Sequence, residues 1–176
     1  KHVGMNVAAD HLMTLAYVGV KGGMVIVNAD DPFMFSSQNE QDNRFYARLS
    51  GLPMLEPTST QEMKDMTIAA FELSEELELP VILRTTTRLN HVRGAVKLGE
   101  LKPIRTKGEF QKNPFHFVTV PAVSRNLHKL LLEKHAKALA RSETWPENRI
   151  TGSGKWGVVA NGVSVNYARD AIRDLG

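Results

Sequence analysis

The chain has 176 residues, 42% of them apolar and 23% charged, with a formal net charge of +3 and no cysteine. This length suffices for one full core and the start of a second unit, and the missing thiols exclude disulfides, thiolate metal sites and iron–sulfur ligation by this chain. No apolar run approaches the roughly 18–20 residues of a membrane span, and no signal peptide is read at Lys1, so a cytoplasmic setting away from membranes is expected.

In chain order, residues 6–19 (NVAADHLMTLAYVG) carry Val7, Leu12, Leu15 and Ala16 among small residues and predict a short, well-buried helix, stopped by Gly19 and the pair Gly22 and Gly23. Residues 24–29 (MVIVNA) form a continuous apolar run that predicts a strand covered on both faces. A second, shorter strand is expected at 52–55. Ser59 and Glu62 have the spacing of a capping box. The helix they start places Met63, Met66, Ala70, Phe71, Leu73 and Leu77 on one 3.6-residue face, with Pro80 closing it. Residues 80–85 (PVILRT) are the next buried strand. Helix, strand, strand, helix, strand in this order predicts an α/β architecture, a mostly parallel sheet with flanking helices.

After Arg93 the pattern weakens. Residues 94–121 read as a long crossover, 124–141 as an amphipathic helix with Leu127, Leu130, Leu131 and Ala138 inward, and 145–154 as a loop. A strand at 155–161 (KWGVVAN), Gly162 and a helix through Val165, Ala168 and Ile172 then open a new unit. Three regions follow: 1–93, a linker at 94–153, and the start of a second domain at 154–176.

The stretch from Lys102 to Arg141 also holds Arg105, Lys107, Lys112, Arg125, Lys129, Lys134 and Lys137 against only Glu109 and Glu133. A basic stripe can dock nucleic acid or an acidic partner, and it can equally be the solvated side of a connecting helix. Along the helix at 124–141 no aromatic residues interleave with these charges as a single-strand binder requires, so nucleic acid is not expected.

Ligands of open α/β sheets bind beyond the carboxyl ends of the strands. Two such ends are rich in polar groups. The first, 28–44 (NADDPFMFSSQNEQDNR), offers Asp30, Asp31, Ser36, Ser37, Gln38, Asn39, Glu40, Gln41, Asp42, Asn43 and Arg44 beside Phe33 and Phe35. Loops of this kind commonly carry function. The second holds Arg84, Thr85, Thr86, Thr87, Arg88, Asn90, His91 and Arg93. Its arginines suit a carboxylate or phosphate, or else pair with the acidic loop next to them. No phosphate-binding glycine motif is present. The histidines at 2, 11, 91, 116, 128 and 135 lack metal-binding spacing, with His128 and His135 expected at the surface, and Ser153 lacks a nucleophile's strand–turn–helix setting.

Five stretches carry a family resemblance: KHVGMNVAAD, VKGGMVIVNADDP, SSQNEQDNRFYARLSGLPMLEP, LPVILRTTTRLNHVRG and GVVANGVSVNYARDAI. They resemble, essentially end to end, the α subunits of indolepyruvate ferredoxin oxidoreductases, members of the thiamine-diphosphate-dependent 2-oxoacid:ferredoxin oxidoreductase family. The resemblance implies an oxidative decarboxylation of an aryl pyruvate to the acyl-coenzyme A, with thiamine diphosphate and magnesium at the reacting centre and iron–sulfur clusters passing electrons to ferredoxin. It implies a pyrimidine-type thiamine-diphosphate-binding domain, incomplete at its start, then a linker and the opening of a transketolase C-terminal-like domain.

By the same resemblance, the loop at 1–6 runs beside the cofactor, making His2, Gly4 and Asn6 contact candidates. Asp30 and Asp31 stand where related pyruvate enzymes place a substrate-gripping arginine. That departure leaves the carboxylate to backbone N–H groups, Arg88 or Arg44, with Asp30, Asp31, Ser36, Ser37, Gln38 and Asn39 as pocket-wall candidates. The family's catalytic glutamate is expected before Lys1. Its G-D-G magnesium motif and its cysteine-rich cluster region are not in the chain. No catalytic residue is therefore assigned here, and a fragment inactive by itself, with no bound cofactor, is expected.

Partners implied by the resemblance are a β subunit, ferredoxin and coenzyme A. A sheet lacking its first strand exposes an edge, which predicts a homodimer of the fragment. Two other readings stay open: a related oxidoreductase with a branched or dicarboxylic substrate, and a non-catalytic module that docks through the basic helix.

Overall fold

The computed structural model describes residues 2–101 and 107–175. Two helices, α1 (His2–Val7) and α2 (Ala9–Val18), lead to strand β1 (Val25–Asp30), helix α3 (Arg44–Ser50), the short strand β2 (Met54–Leu55), helix α4 (Thr60–Leu77) and strand β3 (Val81–Thr86). A one-turn helix α5 (Thr87–Asn90) follows, then α6 (Pro114–Phe117), the long α7 (Pro121–Glu143) and α8 (Ser164–Leu175). The three strands are parallel, in the order β1–β3–β2. This is the α/β architecture expected, with β3 at the centre and buried from Val81 to Thr85.

The capping box forms as the sequence predicts: Ser59 Oγ accepts the Glu62 N–H at 3.2 Å. The Glu62 carboxylate reaches back one residue further than the usual pattern, taking the Thr58 N–H at 2.8 Å and the Thr58 hydroxyl at 2.6 Å. Ala70, Leu73 and Leu77 of α4 then pack into a core with Leu12, Ala16, Leu79, Val81 and Ile82, and Met66 on the same helix is buried as well. The helix stops at Leu77, before Pro80, because Glu78 turns left-handed at φ 51°. Ser74 fastens that end: its hydroxyl accepts the Met24 N–H at 2.9 Å and donates to the Leu79 carbonyl at 2.6 Å.

Helix α7 starts with Pro121 in its first turn, where a missing N–H costs nothing. It lies against α2 through Leu127 and Leu131. His128 remains exposed but stacks on Tyr17, ring centroids 5.4 Å apart. Lys134 donates to the Glu78 carbonyl at 3.0 Å, and burial pushes its ammonium below the usual lysine range against the pull of Glu78.

Several expectations are corrected. The segment at 2–6 is helical, and the 6–19 helix is two helices broken at Ala8. Val7, beside the break, is exposed. Strand β1 is not covered on both faces: it forms an edge of the sheet, and Val27 is 62% exposed. Phe71 and Leu130 face outward, while α7 turns Leu127, Leu131 and Ala138 inward. Residues 155–161 form no strand, since among the described residues no neighbouring strand offers a ladder, and Trp156 is 93% exposed. The helix after them forms, as α8. Of the basic stretch, Lys102 and Arg105 lie outside the described residues, as do Lys1 and Gly176.

Candidate functional site

The parallel register sets Asn28 opposite Arg84 and Asp30 opposite Thr86. Two residues apart on one strand, Asn28 and Asp30 share a face, and Asn28 Nδ2 donates to Asp30 Oδ1 at 2.9 Å. Arg84 Nε donates to Asp30 Oδ2 at 2.6 Å, and the Asn43 backbone N–H joins the same oxygen at 3.1 Å. Asn43 Nδ2 reaches Asn28 Oδ1 at 2.9 Å and the His2 carbonyl at 3.4 Å. On the other side, Arg84 Nη1 donates to Glu56 Oε1 at 2.6 Å, with Asp42 Oδ1 at 3.8 Å from Nη2. The Asp30 side chain is 1% exposed and that of Arg84 9%. Charges buried this deeply persist only when paired, so Arg84 is committed to the protein.

Asp31 organises the loop that follows. Its carboxylate accepts the Thr87 hydroxyl at 2.7 Å, the Ser36 N–H at 3.0 Å and the Phe35 N–H at 3.2 Å. The Thr87 bond first, then the Ser36 N–H, with smaller help from Ser37 and Phe35, holds its pKa well below the usual carboxylate range. Glu40 Oε2 takes the Phe33 N–H at 2.8 Å. These ties hold Phe33 and Met34 in the left-handed region, at φ 64° and 43°, a conformation that costs a non-glycine residue about 1–2 kcal/mol. The result is an exposed edge-to-face pair, Phe33 and Phe35, with ring centroids 5.7 Å apart. Nearby, Arg44 grips Asp42 from Nε (2.8 Å) and Nη2 (2.6 Å), lowering the carboxyl's pKa and raising the guanidinium's.

Beyond the strand ends lies a cleft of ≈370 Å³ lined by Phe33, Phe35, Arg44, Glu56, Arg84, Arg88, Gly162 and Tyr167. Helix α8 closes one side, with Asn166 Nδ2 donating to the Thr58 carbonyl at 2.8 Å and the Arg88 guanidinium 5.8 Å from the Tyr167 ring centroid. A second cleft of ≈330 Å³ shares Arg88 and Tyr167 and runs to the start of α4. Among the described residues no carboxylate pairs with Arg88. Glu56 Oε2 is buried with no hydrogen-bond partner.

Of the pocket residues expected from sequence, Arg44 and Arg88 line the cleft. Asp30 and Asp31 stand behind it as buried tying points, and Ser36, Ser37, Gln38 and Asn39 sit on the loop without lining it. His2 is buried in α1 with Nε2 3.1 Å from the Asn39 carbonyl. Asn6 accepts the Tyr46 hydroxyl at 2.7 Å, and Gly4 is exposed; none of these three lines either cleft. The arginine cluster divides: Arg84 pairs with the acidic residues, while Arg88 faces the cleft. Glu56 and Tyr167 were not singled out from sequence. Glu56 carried one usable signal, its place immediately after β2, the third strand end of the same sheet.

Residues 25–140 match the family model described as "Pyruvate flavodoxin/ferredoxin oxidoreductase, thiamine diP-bdg". The chain is 50% identical to indolepyruvate oxidoreductase subunit IorA of Methanothermobacter marburgensis, over 100% of this chain and 29% of the relative. It is 50% identical to the subunit of the same name from Pyrococcus abyssi, over 100% of this chain and 28% of the relative. For that of Archaeoglobus fulgidus the figures are 46%, 99% and 28%. The chain thus spans under a third of the length of these relatives. No solved structure matches it.

Proposed function

Since this chain belongs to the pyruvate flavodoxin/ferredoxin oxidoreductase thiamine-diphosphate-binding family, we propose that it forms one wall of the substrate cleft in a longer enzyme that oxidatively decarboxylates aryl 2-oxoacids, indole-3-pyruvate foremost. The observation that carries this reading is the pairing of opposites at the cleft: the guanidinium of Arg88, without a carboxylate partner among the described residues, beside the exposed rings of Phe33, Phe35 and Tyr167. A guanidinium offers a carboxylate two parallel N–H donors, and the rings offer an aryl group a dry surface.

The charge balance sets the orientation. Asp30, Asp31, Asp42 and Glu56 outnumber Arg44 and Arg84 around the floor. An anionic floor repels the substrate's carboxylate, which therefore meets Arg88 at the rim, with the aryl group on the neighbouring rings of Phe33, Phe35 and Tyr167.

Thiamine diphosphate, when bound, supplies the electron sink for decarboxylation. The residues present do not fit its phosphate end. Among the described residues no group of three or more His, Cys, Asp or Glu could hold a metal ion, and the carboxylates at the strand ends are already tied to arginines and amides. The magnesium, the phosphate anchor, the iron–sulfur clusters and the catalytic glutamate are assigned to the remainder of the enzyme and its β subunit, with ferredoxin and coenzyme A as further partners. On this reading the isolated chain is inactive. No helix of the described residues is long and apolar enough to cross a membrane, and we place the enzyme in the cytoplasm. The open β1 edge, with Met24 and Val27 exposed, favours self-association of the isolated chain.

Substrate profiling of the full-length enzyme with indolepyruvate, phenylpyruvate, pyruvate and 2-oxoisovalerate tests the reading. The aryl pyruvates are expected to show the highest kcat/KM. Preference for pyruvate or the branched oxoacid would overturn it.

A further inference from the structure

We infer that the outer face of α7 pairs with the same face of a second copy of the chain, the two helices running antiparallel about a twofold axis at Ala136. Helix α7 turns Leu127, Leu131 and Ala138 toward the domain. Its opposite side carries a second apolar stripe, Leu132, Ala136 and Leu139, spaced four and three residues apart as one helix face requires. Leu132 is 57% exposed and Leu139 59%. Leucines seven residues apart on one exposed side of a helix form a seam of the kind that a second helix covers.

Charge identifies that second helix. The ion pairs of α7 are made by Lys134 and Arg141, on the side that faces the domain. Arg125 and Lys129 precede the outer stripe, and Glu143 follows it as the last residue of the helix. All three are exposed, and among the described residues none has an ion-pair partner. Lys129 and Glu143 stand seven residues before and after Ala136. A parallel copy would set lysine against lysine and glutamate against glutamate. An antiparallel copy centred on Ala136 sets each Lys129 beside the other chain's Glu143, and symmetry makes the contact twice. Glu143 gains further, because the dipole of its own helix disfavours a carboxylate at the C-terminus. The complement to this charge order is thus the face itself. It shares no residue with either cleft, so the pairing is independent of the proposed reaction.

The test is carbodiimide cross-linking of the dilute full-length enzyme, with the linked peptides identified by mass spectrometry. The reagent joins a lysine amine directly to a carboxylate in contact with it. Along one α7 helix, Lys129 and Glu143 are about 21 Å apart, so a link between them has to join two copies. That link is expected. Leu139→Asp leaves the core untouched, puts a carboxylate in the seam, and is expected to lower the yield of the link at least about tenfold. Absence of a Lys129–Glu143 link in the wild-type enzyme overturns the inference. So do links from Lys129 to a β subunit or to another region of the longer chain in its place, or a yield unchanged by Leu139→Asp.

Discussion

Arg84 and Arg88 stand four residues apart at one end of one sheet, and their surroundings give them opposite work. Arg84 ends inside the protein, with Asp30, Glu56 and Asp42 about its guanidinium. Arg88, one turn further on, leaves the sheet on α5 and lies over the face of Tyr167. The difference is between floor and rim. The floor (Asn28, Asp30, Asn43, Arg84) is a buried network in which Asn28, Asn43 and Arg84 all donate within the cluster, with Asn43 Oδ1 left without a partner, while the rim (Phe33, Phe35, Arg88, Tyr167) is exposed rings and a guanidinium in contact with one another. Residue type therefore says little about which arginine meets a ligand. What decides is whether a carboxylate reaches it first.

Breaking the floor should cost the most. Arg84→Met leaves Asp30 and Glu56 buried without their cation, and urea denaturation is expected to show a loss of about 3–5 kcal/mol. A loss no larger than the ~0.5 kcal/mol of an ordinary surface substitution would dissolve the distinction between floor and rim. Asn43→Ala removes the donor to Asn28 Oδ1 and is expected to cost about 1–3 kcal/mol in the same measurement.

Acid should act more gently, on the loop that joins the two regions. The pKa values of Asp31 and Asp42 are lowered in the fold, chiefly by the Thr87 hydroxyl and by Arg44 respectively. Their contribution is complete above the ordinary carboxylate value of 3.8 and is lost as pH falls through the lower folded values. Amide exchange at Phe35 and Ser36 should therefore stay slow down to 3.8 and speed up only below it, once the intrinsic pH dependence is removed. Protection lost above that value would mean that Asp31 does not hold the loop. The smallest expected effect sharpens the contrast: Arg88→Ala should change stability by no more than ~0.5 kcal/mol.

Much of the frame was legible in the sequence because it depends on local chemistry. The Ser59–Glu62 spacing, the stripe on α4 and the apolar run before Thr85 each predict their element from neighbouring residues alone. The failures at Val27 and at 155–161 share a cause: burial and pairing are decided by what lies opposite. Val27 sits in a run indistinguishable from a covered strand, yet β1 is an edge. Residues 155–161 have strand composition and no strand to pair with. At the cleft, Arg44 and Arg88 were legible as cations near strand ends, but the separation of Arg84 from Arg88 depends on Glu56. That carboxylate arrives from a distant strand, and only the parallel register of β2 and β3 brings it there.

The most direct test of the account is the KM of the full-length Arg88→Ala enzyme for indolepyruvate. Loss of a charge-assisted contact made equally in the bound and reacting states should raise KM roughly 10- to 100-fold with kcat nearly unchanged. A KM equal to that of wild type would contradict it, since the cleft cation without a carboxylate partner among the described residues would then not be the group that holds the substrate.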